Sequence, residues 1–315
     1  MNYQYVLQRL LLAMIVVLGV TFVVFMIMQI VPGDPARVIL GPYASDESVA
    51  GLRERLGLDR PFLEQYLTWL SKAVRGDFGQ SLLGGQEVAP QLWGRVGPSL
   101  ELALVSLAIG LAIAFPIGIV SALKQGTLLD IVPTVFSQIG VSIPSFWMGI
   151  LLILIFSLNL ELLPPTGYTP ISESVGDWLA HIILPAFTAG FVSASIQTRF
   201  IRSAMLDVLN ANYVMTARAK GLAERAVILR HAFRNAMINI VTIIGLQITA
   251  LFSGLVLVEI VFSWPGLGRL ALNAVEERDY PLLQGTVLVF AVIVTLVNLL
   301  IDLLYFFLDP RIEYV

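Results

Sequence analysis

The residues best suited to chemistry in this chain are the cations of the segment 212–240, NYVMTARAKGLAERAVILRHAFRNAMINI. Arg218 and Lys220 come just before Gly221, and Arg225, Arg230 and Arg234 follow it. Cations in the last turn of a helix oppose the negative end of its dipole, and a glycine after them is a common left-handed stop. Beyond Gly221, the residues Ala226, Leu229, Phe233, Met237 and Ile240 recur at spacings of three and four, which gives one apolar face and leaves Glu224 and the arginines off it. The pattern therefore predicts two short helices joined at Gly221. The chemistry it offers is recognition: a basic, amphipathic helix pair protruding between two apolar runs suits docking to a soluble partner. A plain basic loop on the cytoplasmic side of a membrane has the same charge.

Bond-making chemistry has little to work with. There is no cysteine, so no disulfide framework, zinc cluster or thiol nucleophile. The two histidines, His181 and His231, are too far apart in sequence for a metal motif, and each reads as a hydrogen-bonding surface residue. None of the three lysines, Lys72, Lys124 and Lys220, follows a glycine, so no phosphate-cradling loop exists and the chain is not itself a P-loop ATPase. No paired carboxylates or nucleophile–base set falls within an apolar run. No catalytic residue, cofactor or metal is expected, and ATP energy would have to arrive through another subunit.

The elements that must position the basic segment are membrane spans. Of 315 residues, 57% are hydrophobic and 13% charged, with a mean hydropathy of +0.84; soluble domains are about one-quarter charged. The net charge of −3 gives no case for nucleic acid. Six uncharged runs, 10–31, 102–123, 131–160, 182–198, 235–258 and 280–301, predict an all-α polytopic protein in a lipid bilayer. The first run is too long for a signal-peptide core and reads as a retained span. The fourth reaches spanning length only by including 178–181. Gly110, Pro116 and Gly118 in the second run, Pro133 and Pro144 in the third and Pro185 in the fourth predict kinks, whose freed backbone groups need partners.

Orientation follows from the seven basic residues against two acids in 199–234, which place that side in the cytoplasm, both termini with it. The divisions are then a first span (1–31), an external segment (32–98) and a core of five spans (99–315) containing the loop 203–237. In the external segment Ser45 caps a helix over 46–56 stopped by Gly57, and Pro61 opens a second. Phe62, Tyr66, Trp69, Leu70 and Ala73 on its one face suit it to rest on the membrane or on neighbouring span ends.

At YVxTARAKG…RHAxRNA the basic segment resembles the cytoplasmic coupling loop, the EAA loop, of ABC importer permeases, in the version found in the dipeptide, oligopeptide and nickel branch. The glutamate-alanine-alanine triplet is Met215-Thr216-Ala217 here, and Asn239 stands where many members have a proline. The resemblance extends through PGDPAR (32–37), LGLDRP (56–61), GDFGQS (76–81), FSWPGLGRL (262–270), RDYPLLQG (278–285) and NLLIDLLYFFLDPRI (298–312), nearly the whole chain.

It implies a permease subunit in the bacterial inner membrane that pairs with a homologous permease, two cytoplasmic ATP-binding subunits and an external substrate-binding protein, and works by alternating access. The residues it marks for ATPase coupling are Tyr213, Thr216, Ala217, Arg218, Ala219, Lys220, Gly221 and Leu222, with Ala217 and Gly221 in closest contact and Arg218 and Lys220 at the rim. Trp264, Pro265 and Gly266 would form a rigid external turn, Trp264 and Tyr280 an aromatic belt, and Asp302 an interfacial acid beside an arginine. Peptides are the expected substrate; nickel and glutathione permeases share nearly all of the pattern. An ion-coupled secondary transporter would need ionisable groups at span centres, where this sequence has none, and a membrane scaffold would not need the basic motif.

Overall fold

In the computed structural model of the chain, residues 3–30, 34–41 and 43–308 are described. Pro32 and Gly33 of the first external motif and positions 309–312 of the last motif lie outside them. The described helices are, in order, α1 (Tyr3–Ile30), α2 (Pro35–Leu40), α3 (Asp46–Leu56), α4 (Phe62–Ala73), α5 (Val88–Leu123), α6 (Leu128–Ser142), α7 (Ser145–Leu152), α8 (Val175–Leu209), α9 (Asn212–Ala219), α10 (Glu224–Ala226), α11 (Arg234–Val261), α12 (Leu267–Glu276) and α13 (Tyr280–Leu308). Two wide π-helical turns, Ile153–Asn159 and Val227–Phe233, follow α7 and α10. The protein is an all-α polytopic membrane protein: five helices are long and apolar enough to cross a bilayer, and α6 with α7 makes a sixth span if the pair is counted as one.

The chain packs as two units. One comprises 1–99 and 265–299. Its short helices start and stop where the sequence supplies caps. The Asp34 carboxylate accepts from Ala36 N at 3.0 Å ahead of α2, and Ser45 Oγ accepts from Ser48 N at 3.3 Å ahead of α3. Gly57, at φ +72°, closes α3 by donating to Glu54 O. The core of this unit gathers Ala73, Phe78, Val88, Leu92, Leu267, Leu270, Ala274, Leu282 and Val289. Ser99 Oγ accepts from Leu267 N at 2.8 Å at the start of α12, and buried Asp279, hydrogen-bonded by Ser81, accepts from Leu282 N in the first turn of α13.

The other unit comprises 100–264 and 300–315, and α8 is its axis, contacted by α6, α7 and α11. Small residues let backbones approach closely where no hydrophobic force drives helices together. At Gly190 an added Cβ would lie 2.7 Å from Ser106 O, and at Gly140 it would run into the Ser195 side chain.

Two spans differ from their sequence reading. The run 131–160 bends at Pro144, where a kink is predicted, but far more sharply than a kink: α6 and the helix that starts with α7 meet at 103°. Ile143 is extended (φ −85°, ψ 124°) because Pro144 follows it and disfavours the helical region for the residue before. Pro133 lies inside α6 without ending it. The fourth span is not short but 35 residues long, since Arg199, Arg202 and Asp207 continue α8 beyond the uncharged run instead of ending it.

Candidate partner-docking site

The basic segment forms its first helix as the sequence predicts. After α9, Lys220 takes a near-helical conformation and Gly221 turns at φ +76°, with Gly221 N donating to Arg218 O at 2.9 Å. An added Cβ at Gly221 would meet nothing within 4 Å, so the glycine is there for its backbone and not for want of space.

The second helix is not a separate short one. α10 runs through the π-helical turn Val227–Phe233 into α11 and forms the root of a span. The wide turn inserts a spacing of five, and this moves the buried face. Val227, Ala232, Ala236 and Ile240 are buried, while Ala226 and Leu229, which strict helical spacing puts on the apolar side, are exposed. Phe233 and Met237 remain partly packed against the core.

Val227 joins Val214 and Ala217 in a small buried cluster with Val208 packed against it, so α9 is seated on its own chain. Within this chain Ala217 packs beneath the helix and is buried. The outer face of α9 and its turn carries Tyr213, Met215, Thr216, Arg218, Ala219, Lys220, Gly221 and Leu222, all exposed. Three of these are large and apolar: Tyr213, Met215 and Leu222 are 43%, 53% and 44% exposed. Thr216 Oγ1 donates back to Asn212 O at 2.9 Å, so this hydroxyl is engaged within its own helix. Arg218 grips Glu224 across the turn, with Nη2 at 2.8 Å from Oε1 and Nε at 3.2 Å from Oε2. Those bonds hold the Arg218 guanidinium still more firmly in its charged form.

Behind this site lies a feature the sequence did not disclose. Buried Asp130, in the first turn of α6, receives Arg202 Nε at 2.5 Å and Nη2 at 2.8 Å, Ser121 Oγ at 2.6 Å and Gly126 N at 3.0 Å. One carboxylate thus ties the end of α5, the start of α6 and the last third of α8. The partners are 72 residues apart in the chain, and no periodicity links them.

At the turn marked at Trp264, the aromatic-belt expectation fails. Trp264 is 0% exposed, and its ring meets Tyr168 at 4.8 Å, nearly perpendicular. Tyr168 OH and Trp178 Nε1 both donate to the Glu101 carboxylate, at 3.3 and 3.1 Å, and Gly167 N donates to Phe262 O at 3.1 Å. Burial, with the Glu101 charge beside it, pushes the Tyr168 hydroxyl up from its ordinary pKa. Trp264 is thus a core residue, and Tyr280 is buried too, so neither belongs to an aromatic belt. The loop 161–174 covers Trp264, and hydropathy does not anticipate that cover. Pro265 is half-buried; Gly266 is buried at φ −100° in an extended conformation that any residue adopts.

The fold is that of a multi-pass helical membrane protein bearing an exposed, partly apolar basic helix between two spans. Comparison with known proteins gives this class its place. Residues 114–314 match the family model described as binding-protein-dependent transport system inner membrane component, and residues 2–92 match that of its N-terminal membrane component. The chain is 40% identical over 313 residues to the oligopeptide transport system permease protein AppB of Bacillus subtilis, covering 98% of this chain and 99% of that one. It is 40% identical over 310 residues, with the same coverage, to the glutathione transport system permease protein GsiC of Escherichia coli. Among solved structures, the inward-facing MetNI methionine ABC transporter matches 70% of this chain and 96% of its own at 14% identity and a TM-score of 0.57, a likeness of fold. The chain belongs to the family of binding-protein-dependent transport system inner membrane components. It is a permease subunit of an ABC importer, and such subunits lack an ATPase site of their own.

Proposed function

We propose that the chain forms half of a translocation pathway for di- and oligopeptides and that α9, with the turn at Gly221, is where an ATP-binding subunit docks. The observation that carries the docking assignment is the outer face of α9. Tyr213, Met215 and Leu222 stand exposed among Arg218 and Lys220, while the underside of the helix is fixed by Val214, Ala217 and Val227. Exposed apolar side chains ringed by charge suit a protein interface. Arg218, paired with Glu224, holds the turn closed, and Lys220 and Thr216 lie at the rim.

The remaining partners are a homologous permease that supplies the other half of the pathway, a second ATP-binding subunit, and an external substrate-binding protein. In this reading the protein lies in the bacterial inner membrane with both termini in the cytoplasm, 32–98 outside, and 99–315 as the transport core. ATP binding closes the ATPase pair, α9 moves with it, and the root of α11 and the end of α8 carry the motion into the spans. The substrate class rests on the oligopeptide permease relative. Glutathione is the second reading, because a glutathione permease is equally similar.

The test is ATP hydrolysis by the reconstituted complex with its binding protein, supplied in turn with di- and oligopeptides, glutathione and a chelated nickel ion. Stimulation by peptides is expected. Stimulation by glutathione or nickel alone would replace the substrate class, and a complex that carries no ATP-binding subunit would overturn the docking assignment.

A further inference from the structure

The helix α4 has two apolar faces, and the structure gives an occupant for only one. Phe62, Tyr66, Trp69 and Ala73, at positions i, i+4, i+7 and i+11, turn toward the chain. Tyr66 and Ala73 are buried, and the rings of Phe62, Tyr66 and Trp69 pack on Phe25, those of Phe62 and Tyr66 also on Phe22. One position further on, Leu63, Leu67, Leu70 and Val74 repeat the same spacing and form a second stripe. Leu63, Leu67 and Val74 are 58%, 54% and 79% exposed. Glu64, Thr68, Ser71 and Arg75 occupy the side beyond and are exposed as well.

The depth of α4 says what covers that stripe. Tyr66 OH lies 3.2 Å from Leu18 O and 3.0 Å from Thr21 Oγ1. Both residues fall within the apolar window Leu7–Met28 of α1. At about 1.5 Å of rise per residue, Thr21 sits about 10 Å and Leu18 about 15 Å below the Met28 end of that window. The surface of α1 at the same level, Leu18, Phe22, Val23 and Met26, is itself apolar and exposed. A helix of 12 residues is about 18 Å long and cannot cross a hydrocarbon core of about 30 Å.

We infer that α4 is a membrane-immersed half-helix, anchored to α1 through the Tyr66 hydroxyl, whose Leu63–Leu67–Leu70–Val74 stripe is covered by the acyl chains of the surrounding leaflet. The sequence reading rests the Phe62–Ala73 face on the membrane or on neighbouring span ends, and that face packs on α1; the second stripe goes beyond that reading. Pairing the Tyr66 hydroxyl with Thr21 and a backbone carbonyl satisfies that polar group at depth; Trp69 Nε1, on the same inward face, is buried without a hydrogen-bond partner.

This chain has no cysteine, so with partner subunits made cysteine-free, labels can be placed at chosen positions in the assembled transport complex in phosphatidylethanolamine–phosphatidylglycerol bilayers. Nitroxide labels are placed through Leu63→Cys, Leu67→Cys, Thr68→Cys and Ser71→Cys, all at exposed positions. Collision with oxygen and with a water-soluble nickel chelate is then measured for each. Labels at 63 and 67 should favour oxygen over the chelate several-fold more than labels at 68 and 71. Equal ratios at all four positions would put α4 on the water side and overturn the proposal. So would labels at 63 and 67 that are immobile and closed to both reagents, because protein would then cover the stripe. Tyr66→Phe, which keeps the ring and removes the hydroxyl, should shift the label at 67 toward chelate accessibility; an unchanged ratio would overturn the anchoring role.

Discussion

Two arginine–carboxylate pairs stand in the same unit of the molecule and do different work. Arg202 and Asp130 meet in a buried site with four donated hydrogen bonds converging on one carboxylate. Arg218 and Glu224 meet in the open, across a turn, with both side chains about half exposed. Water and salt screen the second pair and leave it little worth as stability. In the first, the carboxylate is buried while Arg202 is about a quarter exposed, so removing the arginine would leave a buried charge unpaired. The contrast separates what holds the permease together from what it shows to a partner. The buried pair fixes the helices from which the docking element emerges, and the exposed pair shapes a surface.

The contrast is broken most sharply by unpairing the buried site. Arg202→Met, which strands the buried carboxylate, should destabilise the detergent-solubilised permease by about 3–5 kcal/mol, and Asp130→Ala, which leaves a partly exposed arginine, by somewhat less. The double variant should recover most of the loss, which thermal unfolding of the three proteins would reveal. A double variant as unstable as the singles would mean that the hydrogen bonds of Ser121 and Gly126 matter more than the charge pair. A smaller loss, about 1–3 kcal/mol, is expected for Gly140→Val, which forces α6 away from Ser195 on α8. It should leave the binding of ATP-binding subunits to whatever permease survives unchanged. The smallest effect is expected for Arg218→Ala: unfolding within error of the parent, with the affinity for the ATP-binding subunit falling a few-fold and losing part of its salt dependence. If Arg218→Ala destabilised the chain as much as Asp130→Ala, the two sites would not differ in kind.

Much of the fold was legible because lipid imposes a simple rule. A run of apolar residues long enough to cross must be a helix, so runs such as 235–258 and 280–301 found their spans. The turn at Gly221 was legible as well, since basic residues followed by glycine have a local physical cause. What failed was anything that depends on packing between distant segments. The register shift at Val227–Phe233 cannot be seen in a count of threes and fours, which assumes an unbroken ladder. Trp264 read as interfacial because its neighbours are turn residues, yet the cover supplied by Tyr168 comes from nearly a hundred positions earlier. Asp130 precedes the run 131–160 and Arg202 is one of the basic residues of 199–234, and nothing local in the sequence pairs them. The second apolar stripe of α4 was present in the sequence, but only its bond to Thr21 gives it a depth.

The central claim is that the outer face of α9 and the turn at Gly221 dock an ATP-binding subunit while the underside of α9 belongs to the permease. The most direct measurement is the amount of ATP-binding subunit retained on affinity-purified permease, read beside substrate uptake, for Met215→Asp and Gly221→Asp. Met215 is exposed and Gly221 has open space around it, so neither change disturbs the core; the second adds about 1–2 kcal/mol of left-handed backbone strain at the turn. The account predicts normal amounts of permease in the membrane, with ATP-binding subunit and uptake lost together. Full retention and normal uptake in both variants would contradict it.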